Sequence, residues 1–342
     1  MFIKELCYNL IGSDGLKRLI SILLLAFLLL SCAVQTKLED TSVTSQKNKE
    51  VVKEKSIPEL VSGIHDLDTE FTVAYNNFDS DYTKFSDSAS SAHTLEALKT
   101  VQLYADRSKT SGKKALESFN TLFAKINEIR KKTLDSNQKD YIDKLDLANT
   151  NYKQVVVTDL EHVDKRLKYT EYVVHNELFF EYYKDMLRSL IKLPALDNGQ
   201  NWKALNDELL TMNNSLNSAS KEVSLMKEAI AFKYISEYDK FVPLMQEHID
   251  KTAAIVAKKQ AGKYVSQEEI NEADNPGLKA LAIFTADQEG TFWAEGEEDE
   301  LETYRRDKLN SLTDKAEEYL NKADAYYDDA KLRYEQLIKQ QA

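Results

Sequence analysis

The chain has 342 residues, and 57 acidic against 45 basic side chains give it a formal net charge of −12. Length alone allows one large domain or two modest ones, while a body this acidic repels nucleic acid and anionic lipid headgroups, which excludes nucleic-acid binding as a main role. The two cysteines, Cys7 and Cys32, both precede the long body, so its core must hold without covalent staples, which a chain of this length can manage.

Residues 1–16 form an unusually long polar lead-in to Lys17 and Arg18, which are followed by an uninterrupted apolar run from Leu19 to Leu30 and then by Ser31-Cys32. The run is shorter than the about 20 apolar residues that a spanning helix needs. It has the size and flanks of a secretory signal's hydrophobic region. The ending Leu29-Leu30-Ser31-Cys32 resembles a bacterial lipobox. That resemblance implies cleavage before Cys32 and attachment of diacylglycerol to its sulfur. It also implies export, with lipid anchoring to the cell envelope, at the outer membrane or cell surface where the source has an outer membrane. An uncleaved anchor, or a signal cut elsewhere, are the alternatives. Cleavage would remove Lys4, Lys17 and Arg18 against Glu5 and Asp14 and take the net charge from −12 to −13. With Cys7 removed and Cys32 acylated, no free thiol would remain, which excludes disulfides, thiolate zinc sites and cysteine nucleophiles. Membrane contact should then come from acyl chains. Residues 33–56 are rich in Ser, Thr, Lys, Gln and Glu without apolar periodicity, a composition that cannot bury enough surface to order itself. Residues 1–31 therefore read as a signal peptide, and 32–56 as a flexible lipid-anchored tether with a mean reach of roughly 25–30 Å.

Ser56-Ile57-Pro58-Glu59 has the pattern of a capping box. Behind it Ile57, Val61, Ile64, Leu67, Phe71, Ala74, Phe78, Tyr82 and Phe85 recur at steps of three and four, the stripe of an amphipathic helix. A second helix is predicted over about 93–132, with Gly112 weakening its middle by about 1 kcal/mol relative to Ala. Asp135-Ser136-Asn137-Gln138 offers a break and a new cap, and a third stripe runs from Tyr141 through Leu167. Its continuation, Tyr172 to Ile191, is apolar on more than one face and is predicted to be central. Pro194 and Asp197-Asn198-Gly199 mark the clearest boundary in the body. Helical periodicity restarts at Trp202, and Pro243 is expected to kink or split that segment near Phe241, leaving Leu244 to Ala261 as a further helix. Residues 262–296 are charged and punctuated by Asn275-Pro276-Gly277, Gly290 and Gly296, and read as an irregular insert. Leu301 to Leu337 carries a last long helix.

No run alternates strictly enough to be a strand, and four prolines and nine glycines are few for a strand-and-turn architecture. The predicted class is all-α, an elongated antiparallel helical bundle with long coiled-coil-like helices. A first bundle is expected over 57–195 and a second over 196–342, although the Pro194–Gly199 turn could equally be a corner within one bundle.

The search for chemistry is negative. Di-iron sites of ferritin type need Glu-x-x-His on two helices, and none of the five histidines has Glu three positions before it. Asp159 and His162 are the nearest approach. Glu171 and His175 stand four apart and could share a metal, but without convergent partners they read as a helix-surface pair. The sequence has no His-Glu-x-x-His, phosphate loop or Gly-x-Ser-x-Gly elbow. The acid run 295–302 lacks EF-hand spacing and reads as a solvated first turn favoured by the helix dipole. The tyrosines lie mostly on apolar stripes and read as core or core-edge. No catalytic, metal or cofactor residues are assigned, and enzyme activity is not expected.

In its helical architecture the body resembles the elongated helical surface lipoproteins of spirochaetes, with no shared motif beyond the lipobox. The functional expectation is a non-enzymatic, lipid-anchored envelope protein that binds another protein through its helical body. The alternative is a structural or accessory subunit of an envelope complex; small-ligand binding between helices is weaker, because no polar cluster converges on an apolar face. Within the insert, Phe284, Phe292 and Trp293 are the candidate partner contact, since long loops inside compact domains are often functional and Trp is enriched at hot spots. The competing reading is that Phe292 and Trp293 fold back and plug the open end of the bundle.

Overall fold

The structure, a computed structural model, describes residues 57–286 and 291–341. The signal peptide, the Leu29–Cys32 motif, the tether and Ser56 lie outside the described residues. Helix α1 spans Ile57–Ser90 and α2 spans Leu95–Ile129. The Thr94 side chain caps α2 by accepting from the Ala97 amide at 3.2 Å. The cap expected at Asp135 is a capping box formed with Gln138, and it opens α3, Ser136–Asn198. Its 63 residues form one helix, about 95 Å long at the α-helical rise. Pro194 falls inside its last turns, and Gly199 closes it by donating to the Ala195 carbonyl at 3.1 Å.

Helix α4 spans Trp202–Ala229 and α5 spans Ile235–Gln260. The break expected near Phe241 is absent: Pro243 lies inside α5, and the chain leaves the helical conformation earlier, at Ile230, where φ is −146°. A proline removes one backbone hydrogen bond. Phe241 and Met245, on either side of Pro243, are both fully buried, and their packing carries the helix through it.

The predicted irregular insert is also corrected. Residues Gln267–Leu281 form α6, opened by a Ser266–Glu269 capping box, and Asn275-Pro276-Gly277 lies within it. Gly277 is required by close approach: a Cβ there would meet the His248 ring at 2.8 Å. Strands β1 (Phe284–Ala286) and β2 (Phe292–Ala294) then form an antiparallel hairpin. Gly296, at φ +81°, turns the chain into α7 (Glu297–Tyr304). A π-helical turn, Arg305–Asn310, leads into α8 (Ser311–Gln341).

The result is an all-α helical bundle whose one sheet among the described residues is the hairpin. Among the described residues no helix is long and apolar enough to cross a membrane. Packing gathers the helices on the two ends of α3. Phe71 of α1, Leu122 of α2 and Tyr141 and Leu145 of α3 share a cluster with Ala330 and Leu337 of α8. The last helix thus returns to the first half of α3, where Lys144–Asp329 (2.9 Å) and Arg333–Asp140 (2.7 Å) flank the contact. Buried Asp68 accepts from the Asn149 amide at 2.9 Å and from the Tyr327 hydroxyl at 3.2 Å, joining α1, α3 and α8. A second cluster begins at Tyr172 and draws on the remainder of α3 with α4, α5, α6 and the hairpin. As predicted, the Tyr172–Ile191 stretch is buried on more than one face, with Tyr172, Val174, Phe179, Phe180, Tyr183 and Met186 all in the core.

Candidate functional site

The site predicted around residues 284–293 is built on the hairpin, and its register divides the three aromatic residues. Phe284 pairs with Ala294, Thr285 with Trp293, and Ala286 with Phe292. Directly opposed residues share a face of the ladder, and successive residues alternate. Phe284, Phe292 and Ala294 therefore lie on one face, with Trp293 and Thr285 on the other.

The first face is seated in the aromatic core. Phe284 is only 6 % exposed. Its ring lies 5.4 Å from Phe179, 5.4 Å from Phe180, 5.3 Å from Tyr183 and 4.9 Å from Tyr238, in edge-on geometries that favour ring pairs. Phe292, half-buried, stacks on Phe180 at 6.0 Å and meets Tyr183 at 5.0 Å. Of the two rings expected to plug the bundle, Phe292 packs on the core and Trp293 does not; the second plugging ring is Phe284. Trp293 is half-buried and joins none of the hydrophobic clusters. The structure thus brings all three residues together but places only Trp293 on the side away from the core.

A carboxylate fastens the hairpin's end. Glu297, the first residue of α7, is 4 % exposed. Its Oε2 accepts from the Ala294 amide at 2.9 Å and the Tyr238 hydroxyl at 3.0 Å. Its Oε1 accepts from the Asn176 amide at 2.7 Å and the Tyr172 hydroxyl at 3.4 Å. Burial holds this carboxyl above the usual carboxylate range, against the opposing pull of those four donors. Burial likewise raises Tyr172 and Tyr238 well above the ordinary phenol value. The group joins β2, α7, α3 and α5 at one point. Glu300 adds a second tie by accepting from the Lys233 amide at 2.9 Å, in the link between α4 and α5. With its acceptor positions taken up by internal donors, Glu297 works as a latch. The acid run 295–302 is therefore not wholly a solvated first turn. Its sequence carries no signal that distinguishes Glu297 from its acidic neighbours except its place directly after Gly296.

The other residues weighed as ligands are engaged elsewhere. His175 is buried and its Nδ1 lies 2.7 Å from Glu222 of α4, while Glu171 accepts from Gln102 at 3.0 Å, so they do not form a surface pair. His162 Nδ1 lies 2.9 Å from the Tyr82 hydroxyl. Burial first, and Arg166 second, push His162 down to about 4, so the ring is neutral at pH 7. Among the described residues no group of three or more His, Cys, Asp or Glu side chains could hold a metal ion. No protein-family model, no curated protein and no solved structure matches the chain.

Proposed function

We propose that the chain is a lipid-anchored, non-enzymatic protein of the cell envelope that binds another protein through the outer face of its hairpin. The Leu29-Leu30-Ser31-Cys32 ending of the apolar run supports export and acylation at Cys32. The single observation that supports the binding role is Trp293, a large ring on the hairpin face opposite the plug and outside every core cluster. A half-exposed Trp held by a latched hairpin is a rigid anchor, and such residues dominate binding energy at protein interfaces.

Two experiments test the two parts. Cys32→Ser should abolish labelling by a palmitate analogue; persistent labelling would reject the anchor. A photo-crosslinking residue placed at position 293 in intact cells should capture one discrete polypeptide, while the same residue at Leu103, exposed on α2, should not. Absence of a discrete product at 293, or equal capture at both positions, would reject the hairpin as the contact.

A further inference from the structure

The clusters of the first-half helices give way to the second-half cluster on α3 between Leu167, which packs with Phe85, Val101 and Val163, and Tyr172. At that junction the tertiary structure assembles a patch opposite in sign to the molecule. Lys165-Arg166-Leu167-Lys168 lies on α3, and Arg305-Arg306-Asp307-Lys308 begins the π-helical turn. Tyr304 brings them together across 139 residues of sequence: its hydroxyl donates to the Lys165 carbonyl at 3.3 Å. Its ring stacks on Tyr169 at 5.8 Å, with an interplanar angle of 11°.

Two of the three arginines lack a counter-charge among the described residues. Lys165 pairs with Glu161 and Arg306 with Asp307, but among the described residues Arg166 and Arg305 make no ion pair. Arg166 is half-buried, with its Cζ 5.6 Å from the Tyr169 ring centroid. Burial lowers its pKa, and the charge of nearby Arg305 lowers it further. Tyr169 is half-buried in the field of both arginines. An unpaired, partly buried guanidinium is costly. Among the described residues no carboxylate forms an ion pair with Arg166 or Arg305, although the charge of Glu297 also acts on the Tyr169 ring. π-helical turns are themselves rare and recur at functional sites.

We propose that Arg166, Tyr169 and Arg305 form a binding site for a phosphate-type oxyanion. Guanidinium groups offer paired donors in a geometry that matches phosphate. A phosphate group carries about −1.5 to −2 at neutral pH, which balances two arginines where a single carboxylate would balance one. The overall charge of −12 opposes anion binding, so any saturable phosphate uptake must come from a local arrangement.

The test is calorimetric titration of the full chain with sodium phosphate, with ionic strength held constant by replacing chloride. Saturable one-to-one binding is expected, weakened at least about tenfold by Arg305→Gln or Arg166→Gln, since each removes a charge-assisted donor set. Lys99→Gln, which removes an exposed cation on α2, should bind as the parent does. Arg305 is exposed, so Arg305→Gln should keep its helical circular dichroism and decides the matter even if Arg166→Gln fails to fold. Absence of saturable binding, an unchanged affinity in Arg305→Gln, or an equal loss in Lys99→Gln would each overturn the proposal. The source of the phosphate is read by flotation with phosphatidic acid, whose headgroup is a phosphate monoester, against phosphatidylcholine vesicles, to which the acyl anchor contributes equally. An Arg305-dependent excess on the former identifies a lipid headgroup. Phosphate binding without that excess identifies a soluble phosphate.

Discussion

Phe284 and Trp293 occupy opposite faces of one hairpin and should respond to truncation differently. Phe284→Ala empties a site lined by five aromatic rings and should cost about 3–5 kcal/mol, as core Phe truncations do. Trp293→Ala removes a ring outside the clusters and should cost less than about 1 kcal/mol. Urea unfolding measures both, and a loss at Trp293 as large as that at Phe284 would make it a second plug. Glu297 gives a prediction in pH. Its folded-state pKa is raised, so its contribution to stability is full below the unfolded value near 4.5 and is lost as pH rises through the folded value. The stability of Glu297→Gln relative to the parent should therefore improve as pH rises from 4 to 7; a difference independent of pH would mean that the carboxyl titrates normally. His162 runs the other way. Its pKa is lowered from 6.5 to about 4, so the neutral ring's contribution is full above pH 6.5 and declines as pH falls to 4. The full decline amounts to about 3 kcal/mol, and His162→Gln should remove that slope.

At the scale of elements, helices here pass through residues that usually end them. Pro194, Pro243 and Pro276 all lie inside helices. One lost backbone bond costs a few kcal/mol, and burial of Phe241 and Met245 around Pro243 offsets it. Gly277 shows the same priority of packing over propensity. Gly277→Ala should gain about 1 kcal/mol of helix propensity. It should lose more, because the new methyl would meet His248 Cγ at 2.8 Å and its Nδ1 at 2.9 Å. That ring is pinned by the 2.8 Å contact of its Nδ1 with the Ala273 carbonyl. A net loss of about 1–3 kcal/mol is expected, the usual range for overpacking, and a gain in urea midpoint would contradict it.

Across the whole molecule, α3 supplies residues to every hydrophobic cluster. The helices before it and α8 pack on its first half, α4 packs on its second, and α5, packed on α4, carries α6; side chains of α5, α6 and the hairpin join the cluster built on that second half. Stability thus rests on helix packing and on buried polar ties such as Asp68 and Glu297. No group of metal ligands is present among the described residues. EDTA should leave the helical circular-dichroism signal and melting temperature unchanged; a drop of several degrees reversed by one particular metal would reveal a site.

The sequence by itself determined the helical class, a helix over about 93–132, the start of another at Asp135, and the central place of Tyr172–Ile191. Those features are local: a stripe at steps of three and four, or a cap three residues from its partner, is written within one or two turns. Tertiary structure decided the rest. Strands of three residues are too short to show alternation, so the hairpin and the opposite facing of Phe284 and Trp293 were not legible. Nor was the continuation of α5 through Pro243, which depends on what packs on Phe241 and Met245. The return of α8 to the first half of α3 depends on partners nearly two hundred residues away, as Lys144 and Asp329 show. Glu297 differs from Glu298 only because Tyr172, Asn176 and Tyr238 converge on it from two remote helices. A carboxylate is solvated or buried according to donors that its own neighbourhood in the sequence does not contain.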